Sequence, residues 1–574
     1  MMRRPLRLLA TALAVLALAA VPRAVEDQGT PSTTGLVVST SGLASDAGAG
    51  VLARGGNAVD AAVATAFALA VTHPSAGNIG GGGFMIVRAP DGRTAAFDYR
   101  ERAPLASTQT MYLDTKGQID RGLTAAGYLA PGVPGTVRGL ALAHKRFGRL
   151  PWKAVVSPAV ALAKDGFVVS ESLARGLNSL VRTATDRFPA TIEAYGKPGG
   201  GEWTAGDRLV LPDLARTLGA IADEGPDVFY TGWIADRIAE DMKANGGVIS
   251  KADLAAYEAK ERQPVRGTFL GYEIISMPPP SSGGVALIEM LNILERFDLK
   301  AHDRFSPWTL HVMIEARRRA YLDRARHLGD PDFVDVPVER LTSKDYAKSL
   351  AAGIDLAGAS KSVELGKDIV APTDGAEPEE TTHFSVVDRD GMAVANTYTL
   401  EGGYGSKVVV KGAGFLLNNE MGDFNKKPGE TNLRGDIGTP PNLIAPGKRM
   451  LSSMTPAILV KDGKLALVTG SPGGRTIINT VLDVVLNVTA YGMNARQAVD
   501  APRMHHQWLP DSITLEEGAV PQDVLDALKA MGHDVTMRGR QGDANSILID
   551  PSTGVAYGAN DRRSADSKAS VPKT

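Results

Sequence analysis

Thr381–Thr399 reads TTHFSVVDRDGMAVANTYT, and it follows directly on Ala371–Glu380, APTDGAEPEE. The upstream decapeptide is acidic, carries two prolines and a glycine, and has no large apolar side chain to anchor it to a core. Its composition predicts an exposed, mobile segment. The pattern then turns strongly β: two runs rich in Val, Thr, Phe and Tyr flank Arg389-Asp390-Gly391. Gly391 suits the left-handed position that closes a three-residue hairpin turn. That register pairs Asp388 with Met392 and, counting back, Thr381 with Thr399, so two hydroxyls face each other where the linker meets the strand. A two-residue turn would shift the pairing by one and separate them. Thr381, Thr382, Thr397 and Thr399 are also ordinary β-formers, and spacing alone favours that plainer reading.

A threonine hydroxyl is a poor nucleophile until a base takes its proton. A cut before Thr381 would supply one on the same residue, because a free α-amine has a pKa near 8, by the model-peptide value.

Outward from the hairpin, Gly35–Ser39 reads as a buried strand. Ala58–Val71 reads as a helix buried on all sides, with Asn57 as N-cap and Pro74 as stop. Asn78–Phe84 leads into a strand, Phe84–Arg88, joined through Asp91-Gly92 to a second strand ending near Arg100. From about Val133 to Ser349 the pattern is mostly helical, with amphipathic stretches around Trp152–Lys164, Pro212–Glu224 and Trp308–His327. Pro278–Gly284 is a loop opening the helix Val285–Phe297. No repeat of fixed period occurs. Strands and helices in both halves predict a layered α/β architecture with sheets buried between helices.

The chain has 574 residues, 44% of them hydrophobic and 22% charged, with a formal net charge of −2. That length fits a large layered enzyme, and the charge gives no support to a nucleic-acid partner. Arg3, Arg4 and Arg7 precede the apolar run Leu8–Ala20 and small residues, the form of a signal peptide cleaved after Ala20 or after Ala24. The run is shorter than the roughly 20 residues that span a bilayer, so a periplasmic or secreted protein without a membrane anchor is expected. There is no cysteine, which excludes thiol nucleophiles and thiolate metal sites.

Other stretches have the makings of a site. Gly470-Ser-Pro-Gly-Gly-Arg475 joins the strand Leu465–Thr469 to a helix from about Thr476, a place where glycine amides can form an anion pocket; its plainer reading is a tight turn. Asn418–Phe424 sets Glu420 and Asp423 three residues apart beside amides, and Leu451–Met454 offers two hydroxyls. Gly80–Gly83 is no dinucleotide loop, because the order is helix, glycines, strand. There is no HExxH and no GxSxG, and His505-His506 point to opposite faces if extended. No metal and no cofactor are expected.

Together these stretches resemble the γ-glutamyltransferases of the N-terminal nucleophile hydrolase superfamily. The likeness is carried by GNAVDAAVATAFALAVTHPSAGNIGGGGFM from Gly56, FDYRERAP from Phe97, SMPPPSSGG from Ser276, TTHFSVVDRDG from Thr381, LLNNEMGDF from Leu416, LSSMTP from Leu451, GSPGGRTI from Gly470 and APRMHHQWLP from Ala501. It runs from about Gly35 to Asp561. The resemblance implies a four-layer αββα fold and self-cleavage between Glu380 and Thr381. Signal residues 1–24 would be followed by a large subunit, 25–380, and a small one, 381–574, which stay paired. It implies attack by Thr381 on γ-glutamyl donors such as glutathione, with Thr399 holding the threonine and Gly473 and Gly474 forming the oxyanion hole. The acyl group would pass to water or to an amino acid or peptide acceptor. By the same likeness Arg100, Ser452 and Ser453 hold the donor's α-carboxylate, and Glu420 and Asp423 its α-ammonium. Glu401, where many members have asparagine, would add a third acceptor. Pro428–Gly438 matches a lid loop in which Arg434 replaces a frequent aromatic residue. Two rivals are a glutaryl or cephalosporin acylase of the same superfamily and an unprocessed, inactive γ-glutamyl peptide-binding protein.

Overall fold

A computed structural model describes residues 27–369 and 381–573. The expected signal segment and the acidic stretch Ala371–Glu380 lie outside these residues. The hairpin forms in the three-residue register: Thr382 pairs with Tyr398, His383 with Thr397 and Val387 with Ala393. Asp388 N–H donates to Met392 O at 3.0 Å, and Gly391 takes φ +87° at the turn. Both strands are buried along their whole length. They sit at the centre of a seven-stranded antiparallel sheet. Its order is Lys568–Ser570, Gly35–Ser39, Thr382–Asp388, Ala393–Thr399, Gly82–Arg88, Thr94–Asp98, Lys260–Arg262.

A second seven-stranded sheet packs against the first, ordered Thr30–Ser32, Ala556–Ala559, Ser546–Ile549, Lys464–Thr469, Ala457–Lys461, Tyr272–Ser276, Val265–Phe269. Alternation along the central strands sorts their side chains into two cores. Val37, Met85, Phe384 and Tyr398 face the helices Gly42–Ala53, Ala58–Thr72, Trp152–Asp165 and Pro212–Glu224. Val38, Phe84, Val387 and Ala395 face the second sheet, whose far side is covered by Gly283–Leu294, Pro307–His327 and Thr476–Thr489. The result is the expected helix–sheet–sheet–helix stack, with both sheets walled from water.

Local signals hold well. Asn57 caps the helix Ala58–Thr72, accepting from Val59 and Asp60 N–H while Asp60 accepts from Asn57 N–H, and every residue of the helix is buried. The middle is mostly helical as read, with one exception, and one reading is corrected. The largely helical middle contains the hairpin Val265–Phe269/Tyr272–Ser276, which closes the edge of the second sheet. The stretch around Trp308–His327 reads as amphipathic, yet the helix Pro307–His327 is buried nearly all round, including Arg317, Arg318 and Arg319. Those guanidiniums are paired internally with Asp483, Glu315 and Asp511, which is how a charged sequence enters a core.

Candidate functional site

Thr381 stands at the head of the central hairpin, 6% exposed. Thr399 Oγ1 donates to Thr381 Oγ1 at 3.2 Å and accepts from Glu401 N–H at 2.8 Å. Asn78 fixes the end of the Thr399 strand, its Nδ2 donating to Thr399 O at 2.8 Å. Gly82 and Gly83 start the neighbouring strand, opposite Thr399 and Tyr398. The tetraglycine is therefore a close backbone approach beside the hairpin. His383 is not a base for Thr381. It is hydrogen-bonded to Thr397 and Ser385 at 2.8 and 3.1 Å, and burial drives its pKa down to about 3, leaving it neutral.

Thr381 opens into a cavity of about 650 Å³. Every residue predicted from the sequence lines it except Gly473: Thr381, Thr399, Arg100, Glu401, Glu420, Asp423, Ser452, Ser453 and Gly474. Gly473 (φ +127°) and Gly474 (φ +54°) form the turn into the helix Thr476–Thr489, where helix N–H groups favour negative charge. A Cβ on Gly473 would collide with Thr476 Oγ1. The turn is tied to the hairpin from behind. Ser471 Oγ accepts from Asp543 N–H at 3.0 Å, and Asp543 Oδ2 accepts from Thr40 Oγ1 at 2.8 Å. Thr40 Oγ1 in turn contacts Thr382 Oγ1 at 3.2 Å. Burial, reinforced by Asp561, pushes the Asp543 carboxyl up to about 7.

One end of the cavity is crowded with charge. The buried Arg100 guanidinium pairs with Glu420 and Asp423, and it lies 3.7 Å from Glu101. Its Nε donates to Met450 O at 3.2 Å. Glu401 is held by Asn419 and adopts φ +78°, a left-handed backbone that is strained for any side chain but glycine. Burial pushes Glu420 well above the usual carboxylate range against the pull of Arg100, and pushes Glu101 up to about 7. Arg100, read as a carboxylate holder, is thus already shared among acidic side chains.

The two serines follow directly on Met450 and Leu451, whose carbonyls accept from Arg100 Nε and Nη2 at 3.2 and 3.4 Å. Pro278–Gly284 clamps this strip: Ser452 N–H donates to Pro280 O at 3.0 Å, and Ser282 Oγ donates to Ser452 O at 2.6 Å. Ser452 Oγ accepts from Met454 N–H, and Ser453 Oγ accepts from Arg324 Nη2, each at 3.1 Å. Neither hydroxyl donates to a protein group among the described residues, so both O–H hydrogens are available to an acceptor in the cavity. Leu433 and Arg434 of the 428–438 loop also line the cavity, and Arg475 Nη1 donates to Gly435 O at 2.9 Å.

Glu101 and Arg324 were missed from sequence. Glu101 directly follows Arg100 in RERAP, and Arg324 belongs to a helix whose run of arginines is itself unusual for a core. Elsewhere His311, Glu315 and His533 bring one ligand atom each within 4.8 Å of one another. There Glu315 already binds Arg318 and Arg319, and His311 Nδ1 is hydrogen-bonded to His533 Nε2 at 2.8 Å. Two guanidiniums on the one carboxylate disfavour a cation, and the cluster is a core hydrogen-bond network.

The family model described as Gamma-glutamyltranspeptidase matches residues 44–571. The chain is 49% identical over 535 residues to the glutathione hydrolase proenzyme of Escherichia coli (strain K12), covering 93% of this chain and 91% of that protein. It is 39% identical to the acylase ACY 1 proenzyme of Pseudomonas sp. (strain SE83), covering 92% of each. Among solved structures, a cephalosporin acylase from Bacillus halodurans aligns with a TM-score of 0.83 at 27% identity, covering 98% of this chain and all of that one.

Proposed function

The chain belongs to the gamma-glutamyltranspeptidase family, and on that premise we propose that Thr381 is its nucleophile, exposed as a new N-terminus by self-cleavage of the Glu380–Thr381 bond. The protein is an enzyme of γ-glutamyl transfer and hydrolysis, made as a precursor. Its donors are glutathione and other γ-glutamyl compounds. The observation that carries the assignment is the Thr399 Oγ1–Thr381 Oγ1 contact at the head of a cavity lined by both acids and hydroxyls.

In maturation the Thr381 hydroxyl attacks the Glu380 carbonyl carbon, and the peptide nitrogen leaves as the α-amine. Water then hydrolyses the resulting ester. In turnover that amine takes the hydroxyl proton as Oγ attacks the γ-carbonyl, while the Gly473 and Gly474 amides receive the oxyanion. The leaving amine recovers the proton. Water or the amine of an amino acid or peptide then releases the γ-glutamyl group from Thr381.

The donor's ends are told apart by charge. Glu420, Asp423 and Glu401 take the α-ammonium; Ser452 and Ser453, with Arg100, take the α-carboxylate. This acid cluster favours a γ-glutamyl over a glutaryl acyl group, which has no ammonium to repay it. Subunits 25–380 and 381–574 stay paired because the central sheet interleaves Gly35–Ser39 and Gly82–Arg88 with the hairpin strands. The leader 1–24 would direct the enzyme to the periplasm or outside the cell; among the described residues no helix is long and apolar enough to cross a membrane.

Thr381→Ala tests the assignment. The purified variant should remain one band on denaturing electrophoresis and release no p-nitroaniline from γ-glutamyl-p-nitroanilide. Two subunits from that variant would refute self-cleavage by Thr381.

A further inference from the structure

Arg324 projects from the buried helix Pro307–His327 and is 9% exposed at the cavity wall. Its Nε donates to Ser282 Oγ at 2.9 Å and its Nη2 to Ser453 Oγ at 3.1 Å. A hydroxyl that accepts from a guanidinium turns its own hydrogen away from it, here toward the cavity. Ser282, the other anchor, hands its hydrogen to Ser452 O at 2.6 Å. One guanidinium therefore sets the orientation of the serine strip through two contacts.

Arg100 lies against Glu101, Glu420 and Asp423 and donates to Met450 O and Leu451 O. Arg324 is a second guanidinium lining the same cavity, in direct contact with Ser453 Oγ.

We propose that Arg324 is a positioning residue for the donor's α-carboxylate, turning the Ser453 hydroxyl into an obligate donor. This rests on the reading of Ser452 and Ser453 as the carboxylate subsite. Arg324 consequently governs selection of donors bearing an α-carboxylate over those lacking one, and has no part in the attack by Thr381.

The test compares L-glutamate with 4-aminobutyrate, which lacks only the α-carboxylate, as competitive inhibitors of matured enzyme. In Arg324→Gln the preference for glutamate should fall about tenfold or more, the scale of losing charge-assisted hydrogen bonding, while kcat for γ-glutamyl-p-nitroanilide stays within about threefold and KM rises. Should Arg324→Gln fail to mature, Ser282→Ala is read instead. It keeps the buried charge, frees one anchor of the guanidinium, and should lose part of the preference. An unchanged preference in the variant read, with Ser453→Ala losing it, overturns the role of Arg324 and leaves the serine subsite standing. An unchanged preference in Ser453→Ala overturns the serine subsite itself. Equal weakening of both inhibitors in Arg324→Gln marks general structural damage and also overturns the proposal.

Discussion

Thr399→Val is the sharpest probe of the hairpin contact, because valine fills the same space and removes only the oxygen. Among the described residues two hydrogen bonds end at that oxygen, one to Thr381 Oγ1 at 3.2 Å and one from Glu401 N–H at 2.8 Å. Thr399 is 1% exposed, so water cannot readily replace them. Losing the first removes about 0.5–1.5 kcal/mol, and leaving the Glu401 donor unpaired costs about 1–3 kcal/mol, so the fold should lose about 1.5–4.5 kcal/mol. The Thr381 hydroxyl also loses the group that fixes its rotamer. If about 1.4–2.7 kcal/mol of that positioning is expressed in the transition state, kcat falls about 10- to 100-fold. Thr399→Ser keeps both bonds and gives up a methyl group, and should hold kcat within about threefold of the parent. The assay pairs the time course of subunit formation on denaturing gels with p-nitroaniline release at saturating donor. The reasoning is refuted if Thr399→Val matures and turns over at the parental rate, or if Thr399→Ser is as slow as Thr399→Val.

Asp423→Asn removes one charge from the Arg100 cluster and, on the proposed role, a partner from the donor's ammonium. The KM for γ-glutamyl-p-nitroanilide should rise about tenfold or more, and the ratio of kcat/KM for a glutaryl anilide to that for the γ-glutamyl one should increase. Glu101 has its folded-state pKa raised from 4.5 to about 7 by burial, so the folded protein holds that proton more tightly than the unfolded chain. Stability should therefore fall as pH rises from about 4.5 to about 7, and Glu101→Gln should flatten that part of a Tm-against-pH curve relative to the parent. Gly473→Ala places a side chain at φ +127° against Thr476 Oγ1. It should lower kcat about 10- to 100-fold with KM little changed, since the distortion falls on the proposed oxyanion turn; a parental kcat would remove Gly473 from that role.

How much of this could be read before folding depends on whether the signal is local. The hairpin register follows from three turn residues and a count along two strands, so the Thr381–Thr399 pairing was legible from Gly391 outward. The Asn57 cap and the Ala58–Thr72 helix are local in the same sense. Val265–Ser276 was not legible, because VRGTFLGYEIIS alternates weakly, carries two glycines and lies among helices; only pairing with Ala457–Lys461 makes it an edge of a sheet.

The site divides along the same line. Sequence determined the pairing of Thr381 with Thr399 and, through family likeness, the residues proposed for the donor pocket, since those sit in compact motifs. Tertiary structure decided what each is paired with. Arg100 is held by acids from a segment 320 residues later in the chain, and Glu101 is buried beside it with a raised pKa. Arg324 lies in a stretch that reads as amphipathic, and becomes part of the cavity wall because its helix is enclosed on nearly every side. Burial and long-range pairing set the charge and direction of a polar group, and neither is a property of the segment that carries it.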